Sequence, residues 1–318
     1  MRIKNIILSL SGVMTAGLWF GQGVTAEEGA VQAELLAPNI LSTKYHEFGA
    51  TVDPLSKAIY FTRSDTAYLN MAILSSMPRG NSWSQPKLAA FSKRWNVGDP
   101  SFSPDGKRLY FISNQPPEGQ AVKSGFYIVY TERDKKGKWQ DVRHIPALLD
   151  IKSSLSYPSI AADGTLYFAS KGVIYKSPLQ NGRHIAPIDT GMKSSSVAIA
   201  PDQSFMIFHK VTDRQWGQDL YISFRKGDQW QAPVVLPGSI NNKFYNESSP
   251  NISADGESLL FTSDKVVYGQ KTWPRAKPLK NADHFHDILN EHWENRSRQI
   301  YRVNLKAVLA NLIEGKKD

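Results

Sequence analysis

The 318-residue sequence contains no cysteine. That excludes disulfides, thiolate metal sites, cysteine nucleophiles and lipid attachment through a cysteine. Acidic residues are fewer than basic ones, 29 against 38, and the formal net charge is +9. After the first 26 residues no apolar run approaches the roughly 20 residues needed to span a bilayer. Three catalytic signatures are missing: the Gly-x-Ser-x-Gly nucleophile elbow, a glycine-rich phosphate loop and the zincin His-Glu-x-x-His. What is present is a 41% hydrophobic chain with 11% aromatics, which excludes a mostly disordered protein.

The opening residues read as an export signal. Arg2 and Lys4 make a basic start, Ile6 to Phe20 is mostly apolar, and Val24-Thr25-Ala26 supplies small residues before a cut. Cleavage is expected after Ala26. Losing Arg2 and Lys4 would lower the net charge from +9 to +7. The product, 27–318, is expected in a bacterial periplasm or outside the cell, as a monomer without a transmembrane segment. Nucleic acid is not an expected partner there.

A repeat emerges when five phenylalanines are aligned, at 61, 111, 168, 208 and 261, spaced by 50, 57, 40 and 53 residues. Each closes a short apolar strand, as in AIYF, RLYF, TLYF, FMIF and SLLF. Each strand follows a turn: VDPLSK, SPDGKR, AADG, APDQS and SADGES. Asp bonds its own backbone in such turns, and Gly accepts positive φ. A further strand precedes each turn, and a third follows: MAIL, FYIVY, GVIYK, DLYIS and QIYRV. Trp83, Trp139 and Trp230 open the expected fourth strands of three units and are expected to pack between blades; RHIAPI (183–188) stands there in the third unit.

Four antiparallel strands at a 40–57-residue period predict an all-β propeller. Five blades are expected, with six as the alternative if residues 264–298 conceal another. The fifth unit lacks a fourth strand, and AELLAPNIL (33–41) looks like the missing one. The fold is thus one domain over 27–318 with an insertion at 264–298. Leu305, Val308, Leu309 and Leu312 recur at helical spacing, so a short C-terminal helix is expected.

The segments DPSFSPDGKRLYFIS, YPSIAADGTLYFAS and ESSPNISADGESLLFTSD resemble the TolB-type, WD40-like β-propeller repeats of bacteria. The resemblance covers about 33–310. It implies the fold, and a family that includes protein-binding periplasmic propellers and domains attached to peptidases.

Propeller geometry brings two sets of residues to one rim: those entering the innermost strands and those leaving the second strands. Candidate ligand contacts are Arg63, Asp65, Asp99, Asn114, Tyr157, Lys171, His209, Lys210, Asn246 and Asp264. Trp216 and Trp273, in irregular loops, are candidates for exposed contact. Glu47 and Glu247 occupy matching repeat positions in blades that adjoin once the ring closes, with His46 beside Glu47. They are candidates for an acid–base pair or a hard-cation site. The alternative is that each binds backbone N–H groups, or pairs with Arg63 or a lysine. His284, His286 and His292 are weak candidates for a transition metal. KSSS (193–196) offers serines without an evident base.

These residues give a reading and two alternatives. The reading is a binding module of the cell envelope, taking a protein or peptide on its rim and channel, with no cofactor. One alternative is a hydrolase or lyase on a carbohydrate or peptide, with a divalent cation at the channel mouth. The other is a glycan-binding protein using Trp216, Trp273 and the basic loop at 274–280.

Overall fold

A computed structural model describes residues 31–43, 45–65, 67–121, 124–213, 217–265 and 298–314. The expected leader, Trp216, Trp273 and the three histidines of the insertion lie outside these residues. No helix among the described residues is long and apolar enough to cross a membrane.

Five four-stranded antiparallel sheets form the five blades. Blade 1 runs from His46–Val52 through Ile59–Ser64 and Met71–Ser76 to Lys87–Leu88. Blade 2 comprises Val97–Phe102, Arg108–Ser113, Tyr127–Glu132 and Arg143–His144. Blade 3 comprises Ser156–Ile160, Leu166–Ser170, Val173–Ser177 and Ile188–Asp189. Blade 4 comprises Ala198–Ile199, Phe205–Val211, Gln218–Lys226 and Val234–Val235. Blade 5 uses Glu247–Ile252, Ser258–Ser263 and Gln299–Asn304, and its outermost strand is Glu34–Leu35 from the other end of the chain. Glu34 pairs with Arg302 and Leu35 with Tyr301, so the ring closes as the sequence suggested.

The core lies in the seams between blades, and there are five seams. Each aligned phenylalanine is buried toward the preceding blade. Phe111 packs with Ile73 of blade 1, Phe168 with Ile128 of blade 2, and Phe208 with Tyr167 of blade 3. Phe261 packs with Leu220 of blade 4, and Phe61 with Leu260 and Ile300 of blade 5. A fully buried Phe contributes about 1.5–3 kcal/mol, which explains why this residue marks the repeat. The helix Leu305–Glu314 lays Leu305 and Val308 into the seam between blades 4 and 5.

One expectation is corrected. The repeated tryptophans do not open the fourth strands. Trp83 and Trp230 sit in small hairpin arms, Ser82–Trp83 and Gln229–Trp230, and the fourth strands follow as two-residue segments. Trp139 makes an isolated bridge to Arg133. The packing role does hold: Trp139 lies against Tyr60, Phe91 and Phe102, and Trp230 against Tyr167.

Blade 1 lacks the Asp-Gly turn, yet makes the same turn by exchanging donor and acceptor. In blades 2 and 5 the first turn residue is serine, and Ser103 and Ser253 donate to Asp105 and Asp255. In blade 1 the aspartate comes first, and Asp53 accepts from Ser56 Oγ and the Leu55 N–H. The exchange places a carboxylate in the seam, where Arg133 of blade 2 pairs with it. Burial pushes the Asp53 carboxyl up, but Arg133, Ser56 and the Leu55 N–H together hold it below its ordinary value. The side chains are 11% and 1% exposed. Arg133→Met should therefore cost about 3–5 kcal/mol, the cost of stranding a buried charge. Adding Asp53→Asn should restore most of it. Urea unfolding of the single and double variants measures both.

Candidate functional site

Positive φ recurs at one repeat position, on the innermost strand of four blades. Gly49, Asp99, Tyr157 and Ser249 have φ of 56°, 50°, 50° and 49°. The strand pairing shifts register at each of these points. These are β-bulges, which re-aim side chains and cluster at functional sites. Three of the four residues are not glycine, and left-handed backbone costs them about 1–2 kcal/mol each. At Gly49 the space is tight as well: an added Cβ would stand 3.0 Å from Asp99 Oδ1 and 3.2 Å from Asp99 Cα, so Asp99 would have to give way by a few tenths of an ångström.

The bulged residues are tied to one another. The Asp99 N–H donates to Thr62 Oγ1 of blade 1 at 2.9 Å. Asp99 Oδ2 accepts the Tyr157 N–H at 3.3 Å, and the Tyr157 hydroxyl meets Ser249 Oγ of blade 5 at 3.1 Å. Asp99, Tyr157 and Ser249 thus make a polar belt from blade 2 through blade 3 to blade 5. Asp99 is 5% exposed, and its Oδ1 has no hydrogen-bond partner among the described residues. Burial pushes this carboxyl up to about 7, against the opposing pull of the Tyr157 N–H and the Arg298 charge. Burial, and then the Asp99 charge, push the Tyr157 hydroxyl up to about 12.

Blade 4 has no bulge. At the matching position Ser196 Oγ lies 2.7 Å from His209 Nδ1 and accepts the His209 backbone N–H at 3.1 Å. Which of the two donates in the first contact follows the imidazole tautomer. Burial, followed by Arg298, lowers His209 to about 4, so the imidazole is neutral at physiological pH. Here is the base that the KSSS serines lacked in the sequence. Among the described residues, however, no carboxylate bonds the imidazole, so the pair fixes His209 rather than arming a nucleophile.

Arg298 joins this group from the strand side of the insertion. Its carbonyl accepts the Glu47 N–H at 2.9 Å, and its guanidinium lies 5.8 Å from the Tyr68 ring centroid. Its charge acts on His46, Asp99, Tyr157 and His209 at once, which places it over residues of four blades. Burial and Arg298 lower His46, with Asp65 opposing them. Sequence reasoning missed Arg298 because it belongs to no repeat position.

The two glutamates do not form a pair. Glu47 lies opposite Arg63 on the face that packs against blade 5. It accepts from Arg63 Nε at 2.9 Å, Thr43 Oγ1 at 2.6 Å and the Thr43 N–H at 3.1 Å. Glu247 lies opposite Ser263 on the face that packs against blade 4. It accepts from Ser263 Oγ at 2.9 Å and the Asn242 N–H at 3.2 Å. Burial raises both carboxyls, Glu247 to about 7, against the pull of those bonds. Each serves its own seam.

Several rim candidates stitch the repeat together. Asn246 Oδ1 accepts the Gln218 N–H of blade 4, and Asp264 holds Asn246 through its backbone N–H and Nδ2. Asn114 holds the Asn96 N–H in the same way in blade 2. Asp65 ties its own loop through the Leu69 N–H and Asn70 Nδ2. Lys171 and Lys210 are exposed, with the Lys210 ammonium 4.9 Å from the Tyr221 ring centroid. Among the described residues, no three His, Asp or Glu side chains converge as a metal-ligand set.

No protein-family model matches this chain, and no curated protein matches its sequence. Solved structures do share its fold. The catalytic domain of the Coprinopsis cinerea GH62 α-L-arabinofuranosidase aligns with a TM-score of 0.51 at 10% identity, over 86% of this chain and 96% of that one. Zg3597, a family 117 glycoside hydrolase from the marine bacterium Zobellia galactanivorans, aligns with a TM-score of 0.51 at 12% identity, over 90% and 93%. At these identities the likeness is one of fold: a propeller that accounts for nearly all of both chains.

Proposed function

We propose that the protein acts on carbohydrate, as a glycoside hydrolase that takes a sugar residue at its channel mouth. The observation that carries this reading is the buried Asp99 carboxyl, with one oxygen unpartnered among the described residues and its pKa raised to about 7. Around it the site is rich in polar hydrogens: protonated Asp99, the Arg298 guanidinium and the neutral His209 imidazole. Such a set suits a ligand made of hydroxyl and ring oxygens. A carboxyl that keeps its proton near neutral pH is suited to protonating a glycosidic oxygen. Arg298 supplies a further charged donor for the sugar's hydroxyl oxygens. Two whole-chain fold neighbours are glycoside hydrolases, which agrees with this reading and does not carry it alone. A divalent cation would share the mouth with Arg298, so the reading assigns it no role. The TolB-like form of the turns is the shared geometry of strand, Asp-Gly turn and strand, and brings no activity with it. Export, as the leader implies, would place the protein among envelope or extracellular glycans.

The test is reducing-sugar release from a panel of plant and algal glycans by wild type and Asp99→Asn. Wild type should release sugar from at least one, and the variant should lose about 100-fold or more in rate. Equal rates for the two proteins would remove Asp99 from the mechanism.

A second reading, a protein- or peptide-binding module, is favoured by one observation. Tyr45, Tyr68, Leu69 and Phe244 are exposed in loops of the same rim, and Val211 at the end of a blade 4 strand. Capture of one envelope protein by wild type, lost in a Leu69→Ser, Phe244→Ser variant, would support it.

A further inference from the structure

Beside the channel mouth, a groove of about 740 Å³ opens between blades 1 and 2. Its chemistry is set by Tyr45, Arg63, Asp65, Lys93, Arg94 and Trp95. Three of these are cations and one is a carboxylate. Both Asp65 oxygens already accept bonds from their own loop. Arg63 spends Nε on Glu47, while its buried Nη2 has no partner among the described residues. Lys93 and Arg94 are exposed, and neither is ion-paired with a carboxylate among the described residues. The groove is therefore electropositive and has unused donors. It is also flanked by aromatic faces. The Arg63 guanidinium lies 5.1 Å from the Tyr45 ring centroid, and the Arg94 guanidinium 5.3 Å from that of Trp95. Both rings are thereby placed beside positive charge.

A flat apolar face next to a guanidinium suits a ring that has a C–H face and an anionic edge. We propose that this groove binds a uronic acid residue of the glycan, with its carboxylate on Arg94 and Lys93 and its ring beside Trp95. Arginine takes a carboxylate with two parallel bonds, which adds orientation to attraction. The inference rests on the carbohydrate reading and specifies it further: the glycan is acidic, and its charge is read in the groove while Asp99 waits in the channel.

Isothermal titration of the full chain with tetragalacturonate and with neutral galactotetraose tests this. Tetragalacturonate should bind at least tenfold more tightly at 50 mM salt, with the preference shrinking at 500 mM. In Lys93→Ala, Arg94→Ala the preference should vanish. Both positions are exposed, and circular dichroism confirms that the variant folds. Trp95→Ala should weaken both ligands. Equal binding of the two oligosaccharides, or a preference that survives in the double variant, overturns the inference and leaves the carbohydrate reading standing. Absence of binding by either oligosaccharide overturns the inference, and the hydrolysis panel then decides the carbohydrate reading separately.

Discussion

Asp99→Asn should melt about 10 °C higher than wild type at pH 8 and at the same temperature near pH 4. The carboxyl titrates near 7 in the folded protein and near 3.8 as an ordinary aspartate. Below about pH 3 both states hold the proton, and near pH 4 the difference between them is still small. Between about 4 and 7 the unfolded chain ionises while the folded one keeps its proton, so stability falls as pH rises. Above 7 both are ionised and the penalty is constant. A shift of about three units is worth up to about 4 kcal/mol at roughly 1.4 kcal/mol per unit. For a domain of this size, 1 kcal/mol moves the melting temperature by about 2–4 °C. Asparagine tolerates the left-handed backbone at this position and can still accept the Tyr157 N–H. The same substitution should cost about 100-fold or more in the rate of hydrolysis. Gain of stability with loss of activity identifies a residue retained for chemistry. A difference in melting temperature that is flat from pH 4 to 8 would mean that Asp99 ionises normally.

The second large effect concerns closure of the ring. A chain beginning at residue 37 should lose more than 10 °C in melting temperature and aggregate at micromolar concentration. It would lack the strand Glu34–Leu35, the bond from the Leu36 N–H to the Ile300 carbonyl at 2.8 Å, and the buried Val31 and Leu36 side chains. At about 1.5–3 kcal/mol per buried side chain, the apolar loss alone is several kcal/mol. It would also expose the edge of Gln299–Asn304, a template for pairing with another chain. A peptide covering 31–43, added in excess, should restore part of the loss. A truncated chain that stays monomeric and melts like wild type would show that the terminal strand adds nothing to closure.

The fold was legible because the repeat is written in residues that do the same physical work five times. Each aligned Phe fills a seam, and each turn aspartate or serine fixes a hairpin. The missing fourth strand of blade 5 was visible as an absence, and AELLAPNIL supplied it. The site was only partly legible. His46, Asp99, Tyr157 and His209 were named as rim residues, since strand direction alone places them there. Their bulges left no trace in composition, because Asp, Tyr and Ser hold positive φ where a turn signal would have been Gly or Asn. Ser196 and His209 are thirteen residues apart and meet only through the strand pairing of blade 4. The glutamate pair failed for a geometric reason. Matching repeat positions in adjacent blades face successive seams, so the likeness that drew them together on paper keeps them a blade apart in space.

The central claim is that a sugar residue sits at the channel mouth against Asp99. A crystal structure of Asp99→Asn soaked with oligosaccharide fragments of the glycan that wild type cleaves tests it most directly. The account predicts a sugar ring within hydrogen-bond distance of residue 99 and Arg298, with its neighbouring residue entering the groove at Trp95. A fully occupied ligand bound elsewhere, with the mouth holding only water, would contradict it.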